Sequence, residues 1–372
     1  MKAEEEPNSF GGIYIHVPFC HRACSYCDFY FSVQKKYIPH FLTALLKEIK
    51  IQKNFFKKGE KIRTLYLGGG TPSILSINDL ELLFKTIHQN FVNLDLKEIT
   101  IEANPEDITQ EKLCFWSELG INRISLGVQS VHEEELLFMK RNHSVSQVFH
   151  AMELIKSSGI KNYSVDIIYG IPNSNLKKLE ATLNQLINFE PTHFSCYALT
   201  IEKKTLLDYQ WKKGFFDVEE EKYLTEYHFI VEYLIERGYL RYELSNFCLP
   251  NYQAIHNSAY WKHSPYLGLG PSAHSFDGYA RYSNISNLHK YAEKILQNEK
   301  PISFYEILTL EQIQIEKLMF KIRQNLGIDI NEIQPKIIED WKKHFYIEEK
   351  ENKVFFTNKG LMLSDSLILQ LV

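Results

Sequence analysis

Apolar residues fall into two alternating rhythms over the first two hundred residues of the 372-residue chain. Six short runs rich in β-branched and aromatic residues predict strands at Gly12–Val17, Ile62–Leu67, Glu98–Ala103, Arg123–Val128, Tyr163–Ile168 and His193–Leu199. Between them, apolar residues recur three and four apart. Leu80, Leu83, Phe84 and Ile87 form one such stripe. Val148, Ala151, Met152 and Ile155 form a second, and Leu176, Leu179, Leu183 and Leu186 a third. Ser144 and Gln147 fit a capping box, and Gly120 and Gly159 stand where helices should stop. Strands alternating with helices predict parallel pairing through right-handed crossovers, in an α/β fold. Six units suit an open doubly wound sheet or a partial barrel. In either, function is expected at the C-terminal strand ends.

Unusual residues gather at those ends. A cysteine cluster follows the first strand and Gly68-Gly69-Gly70-Thr71-Pro72 the second. Glu102-Ala103-Asn104-Pro105 ends the third, Gln129 and Ser130 the fourth, Asp166 and Tyr169-Gly170 the fifth, and Tyr197 the sixth.

The rhythm changes after about residue 205. Glu219–Arg237 reads as one long helix stopped by Gly238, and residues 246–287 as a loop-rich stretch dense in His, Asn, Tyr and Gly. Helices are expected near Leu310–Asn325 and Ile330–Lys343, then a hairpin around Lys350–Asn352 and a last helix from Asn358. The expected domains are a core over 1–240, an extension over 241–300 and a mostly helical, winged-helix-like unit over 301–372. That last unit carries nine Lys or Arg against eleven Asp or Glu, which disfavours nucleic acid as its partner.

Overall charge points the same way, with 42 Lys+Arg against 46 Asp+Glu. No apolar run is long enough to span a membrane. The first residues, MKAEEEPNSF, fit neither a signal nor a transit peptide, so a cytoplasmic location is expected. Of six cysteines, Cys114, Cys196 and Cys248 are scattered and read as small buried hydrophobes.

Cys20, Cys24 and Cys27 are different. Spacings of C-x₃-C and C-x₂-C put three thiols on one small loop. Three thiolates suit a [4Fe–4S] cubane that leaves one iron open. Zinc is the competitor: it wants four ligands, and His16 or His21 is near enough in sequence to supply the fourth.

This motif after a first strand, with Tyr26 just before the last cysteine, resembles the radical S-adenosylmethionine (SAM) superfamily. That resemblance implies a partial (β/α)₆ barrel whose open iron is chelated by SAM. A closer resemblance, to the oxygen-independent coproporphyrinogen III oxidase family, covers nearly the whole chain. It rests on Tyr14–Cys20, Gly68–Pro72, Ile101–Pro105, Ser125–Ser130 and Val165–Gly170. It implies that Tyr14, Tyr26, Gly69, Gly70, Thr71, Glu102, Gln129, Arg141 and Asp166 bind SAM. The chemistry suits those roles: bare glycine backbone admits a cationic amine, carboxylates accept from ribose hydroxyls, and arginine binds a carboxylate bidentately.

Two features point to one branch. The oxidases carry a fourth cysteine two residues past the third, where this chain has Phe29. Further on, His256-Asn257-Ser258-Ala259-Tyr260-Trp261 precedes a glycine-rich run ending in His274-Ser275. Together they resemble the haem chaperone (HemW-like) branch. That implies haem as cargo and a haem-acceptor protein as partner, with no coproporphyrinogen oxidation. The alternative is an oxidase using a 5′-deoxyadenosyl radical; an RNA-acting radical enzyme and a zinc-bound scaffold are further removed. His256 has two readings, axial haem ligand or hydrogen-bonded pin of its loop, with His263 and His274 behind it as ligands.

Overall fold

The structure, a computed structural model, describes residues 10–324 and 326–371. Residues 1–9 of the N-terminal segment read above lie outside them, as does Asn325, the expected end of a helix. The six strands form as expected: β1 (Gly11–Val17), β2 (Ile62–Gly69), β3 (Leu94–Ala103), β4 (Arg123–Gln129), β5 (Asn162–Tyr169) and β6 (His193–Ala198). They pair in parallel and in chain order. Crossover helices Ile38–Ile51, Ile77–Asn90, Gln110–Glu118, Val145–Ser157 and Leu176–Ile187 join them, and Glu220–Glu236 follows the last.

Strand alternation explains how this half-barrel is filled. Register neighbours on adjacent strands face the same way. Ile13, Ile15, Leu65, Leu67, Ile99, Ile101, Ile124, Leu126, Val165 and Phe194 face the helices and are buried in one continuous core. The stripes Leu80–Ile87 and Val148–Ile155 meet them there, as do Leu179, Leu183 and Leu186; Leu176, in the first turn of its helix, stays partly exposed. Residues between the core positions face inward and are polar: Thr64 and Tyr66 on β2, Glu102 on β3, Arg123 and Ser125 on β4, Ser164 and Asp166 on β5, His193 and Ser195 on β6. The helical faces hold the fold, and the inward faces are left for chemistry.

Local signals are realised as well. Ser144 and Gln147 form a complete capping box, and Gly120 and Gly238 take φ of +83° and +85° after their helices. Cys196 and Cys248 are buried as expected. Cys114 is not: it lies on the exposed face of Gln110–Glu118, taking a 3.3 Å contact from Gln110 Nε2.

Residues 246–287 are far more regular than a loop. β7 (Leu240–Arg241) and β8 (Asn246–Cys248) extend the sheet beyond β6 in antiparallel fashion. Residues Ile255–Trp261 form a helix. β9 (Tyr266–Leu269) then pairs in parallel with β1 at the opposite edge. β10 (His274–Phe276), β11 (Ala280–Asn284) and β12 (Ile302–Ile307) continue it to twelve strands. Thus β12, which falls within 301–372, is hydrogen-bonded into the main sheet.

After β12 come helices Leu310–Arg323 and Pro335–Lys343 and a small antiparallel sheet of β13 (Ile328–Asp329), β14 (Ile347–Lys350) and β15 (Lys353–Phe356). The β14–β15 turn places Glu351 and Asn352 at φ +50° and +62°, and helix Asn358–Met362 follows. This unit has its own core around Trp341, Ile322, Ile328, Ile338 and Val354.

Candidate functional site

A cavity of about 630 Å³ opens at the C-terminal ends of β1–β6. Its wall includes Cys20, Cys24, Cys27, Tyr26, Gly69, Gly70, Thr71, Glu102, Gln129, Arg141 and Asp166, assembled from the cysteine loop, four strands (β2 to β5) and the segment between β4 and the helix Val145–Ser157.

The cysteine loop is fixed at its neck and tip. At the neck, Cys20 N–H donates to Ser32 O at 3.1 Å and Ser32 N–H to Pro18 O at 2.6 Å. At the tip, Ser25 N–H donates to Met139 O at 3.0 Å, and its carbonyl accepts from Leu207 N–H at 2.8 Å. The thiols are unbridged and half-buried. Burial pushes the Cys20 thiol up to about 11 and that of Cys27 up to about 12. Arg141 Nη1 lies 3.4 Å from Cys24 Sγ and 3.5 Å from Tyr26 Oη, while its Nη2 donates to Asn104 Oδ1 at 2.6 Å and Gly127 O at 2.9 Å.

The glycine run is a packing requirement. Gly69 has φ +106°, and a Cβ on Gly70 would come within 2.7–2.9 Å of backbone atoms of Val17 and Phe19. Gly70 N–H donates to Val17 O at 2.9 Å, so the β2 exit lies directly against the β1 exit that launches Cys20. Glu102 accepts from Tyr66 Oη at 2.8 Å and from Gly69 N–H at 3.0 Å. Burial lifts its carboxyl to about 7 against that tyrosine bond, and the charge of Asp166 adds to the rise. Burial likewise holds Asp166 above the usual carboxylate range, although Ser125 and Ser164 donate to it at 2.9 and 3.0 Å. Gln129 sits at φ +71°, next to a register break in β4 at the cavity wall.

Two assigned residues lie elsewhere. Tyr14 faces inward beside Tyr66 but is not part of the cavity lining, and its hydroxyl is 3.1 Å from His16 Nδ1. His256 is buried under the cavity with both ring nitrogens engaged: Nδ1 lies 2.7 Å from Thr64 Oγ1 and Nε2 lies 2.8 Å from Tyr260 Oη. Burial, aided by the Arg123 charge, holds it neutral, lowering it to about 3. Of its two readings, the geometry fits the hydrogen-bonded pin. His263 is bonded to Glu316 at 2.9 Å, and His274 is exposed on β10.

Sequence reasoning gave no site role to Tyr66 or Asn257 and placed Asn104 and Tyr197 only among the residues gathered at the strand ends, yet all four line the cavity. Asn257 had a signal, standing beside His256 in the same motif. Tyr66 had none, because in a strand it reads as an ordinary β-former.

The superfamily pattern described as the radical SAM superfamily matches residues 14–186. "Heme chaperone HemW" of Bacillus subtilis (strain 168) is 31% identical over 371 residues, 95% of this chain and 97% of that protein. The protein of the same name from Buchnera aphidicola is 32% identical over 96% of each. The chain belongs to the HemW family of radical SAM proteins. A solved structure of Escherichia coli coproporphyrinogen III oxidase (HemN), described as a radical SAM enzyme, aligns with TM-score 0.84 over 98% of this chain and 90% of its own. At 22% identity that likeness shows a shared fold.

Membership in the HemW family implies a [4Fe–4S] cluster and SAM, and the residues present fit both. Three unbridged thiols share the loop at the cavity rim. In a cubane each thiolate takes a different iron, so the sulfurs stand apart. The two histidines offered to zinc are committed on both ring nitrogens: His16 to Tyr14 and Tyr30, His21 to Asp107 and Lys35. Among the described residues no helix is long and apolar enough to cross a membrane.

Proposed function

We propose that this protein is a haem chaperone: it binds haem and hands it to an acceptor protein, with Cys20, Cys24 and Cys27 holding a [4Fe–4S] cluster and SAM at the open iron. The observation that carries this over the oxidase reading is Phe29. It stands where the oxidase branch carries a further thiol, at the cavity rim and 66% exposed. The relatives named as haem chaperones, matching almost end to end, support the same choice.

Within the cavity, Gly69, Gly70 and Thr71 offer backbone and hydroxyl to the methionine end. Glu102 and Asp166 offer carboxylates to amine or ribose, and Arg141 a guanidinium to a carboxylate. The cluster, when bound, supplies an electron donor and an open coordination position. The chain's own residues orient SAM and shield it from water.

The test is haem transfer alongside complementation. Haem-loaded protein should pass haem to an apo-haemoprotein such as apomyoglobin, and the gene should fail to rescue a strain lacking the oxygen-independent oxidase. Rescue, with no haem bound by the purified protein, would assign the chain to the oxidases.

A further inference from the structure

The helix Ile255–Trp261 carries the HNxxYW motif, and its His256 does not reach the cavity. Its packing gives it another task. Glu98 on β3 accepts from the N–H groups of both Ile255 and His256, at 2.7 and 3.0 Å, so the helix start is tied to the barrel's inner face. His256 is bonded sideways to Thr64 on β2. Its ring then stacks on Tyr66, with centroids 5.0 Å apart and planes 27° apart. Tyr14 also lies against Tyr66, tilted by 30° with centroids 6.0 Å apart. Tyr66 is the middle of three rings, and its hydroxyl donates to Glu102 at 2.8 Å. A hydroxyl on a tyrosine ring moves only with that ring, so packing Tyr66 between its two ring neighbours fixes where the Glu102 carboxylate points.

We propose that His256 and Tyr14 are positioning residues for the SAM site: they clamp Tyr66, and Tyr66 aims the Glu102 carboxylate into the cavity. Asn257, the next residue of the motif, is carried by the same helix to the cavity wall. The motif is therefore part of the scaffold of the cofactor pocket, and haem iron takes its ligand elsewhere. This rests on the SAM binding proposed above.

Calorimetric titration of SAM into the anaerobically reconstituted full chain tests it, with iron content, melting temperature and haem absorbance recorded for each variant. Tyr66→Phe keeps the ring and removes only the hydroxyl. It should weaken SAM roughly tenfold, the scale of losing one hydrogen bond to a carboxylate, with iron content unchanged. His256→Ala should cost a similar factor. Because both act through one group, Tyr66→Phe with His256→Ala should lose little more than either alone. The Soret band on haem addition should be the same in wild type and His256→Ala. If wild type binds SAM and Tyr66→Phe binds it equally well, or the two losses multiply, the clamp is wrong. It is also wrong if His256→Ala keeps SAM affinity and loses the Soret band. If cluster-loaded wild type binds no SAM, the reading beneath it fails, and the clamp with it.

Discussion

Gly70 leaves no room for a side chain. Its missing side chain lets the β2 exit lie against Val17 and Phe19, one residue before the first cysteine. The obvious expectation is that Gly70→Val blocks SAM and spares the cluster. The contacts say otherwise, because they are with backbone that cannot swing aside. Gly70→Val should displace Phe19 and with it Cys20. We expect a stability loss of about 1–3 kcal/mol, the usual scale of overpacking, and lower iron content after reconstitution together with weaker SAM binding. Full iron content with only SAM affinity reduced would mean that the β1 exit yields without moving the cysteine. The cysteine spacing, the glycine run and Glu102 were legible in the sequence because each breaks the local pattern of its strand or loop. Tyr66 was not. A tyrosine in a strand carries no mark of which face it occupies until the sheet curls and its neighbours are fixed.

At the scale of elements, the helix Ile255–Trp261 is the part least visible in the sequence. It spans seven residues, has no side-chain N-cap of its own, and takes Glu98 from a strand about 150 residues earlier in its place. His256 fixes it through a neutral imidazole between two hydroxyls, which makes its stability pH-dependent. The fold lowers the histidine from its ordinary 6.5 to about 3, burial being the main cause. The folded chain therefore binds fewer protons here than the unfolded chain between those values. The contribution is fully present above about pH 6.5 and drains away as pH falls toward 3, with a slope approaching about 1.4 kcal/mol per pH unit. Urea unfolding at pH values from about 7.5 down to 5 should show wild type losing stability faster than His256→Gln on acidification. Parallel slopes would mean that the imidazole is charged in the fold. The short strands β8–β11 escaped notice for a related reason: at three to five residues each, they have too few positions to show an alternation.

Across the whole molecule, one sheet serves two purposes. The outward faces of β1–β6 carry the core that holds the helices, and the inward faces carry tyrosines, carboxylates and serines around the cavity. The α/β rhythm and the crossover order were legible because each helix buries a clear stripe. The edge extension was not, since β9 returns to pair with β1 from some 250 residues away, and no local signal announces such a partner. The C-terminal unit meets the HNxxYW helix and the sheet strand β11. Trp261 meets Phe320 edge-on at 5.6 Å, Gln324 Nε2 donates to Trp261 O at 3.2 Å, and Glu316 accepts from Arg281. The proposed function puts an iron–sulfur cluster on three cysteines and haem, as cargo, at a separate site of one chain. The direct measurement is the absorption spectrum of anaerobically reconstituted protein before and after haem addition, for wild type and for Cys20→Ala, Cys24→Ala, Cys27→Ala combined. Wild type should show the broad cluster absorbance and then a Soret band, and the triple variant should lose the first and keep the second. Bound zinc in place of iron, or a wild-type chain that takes up no haem, would contradict the account.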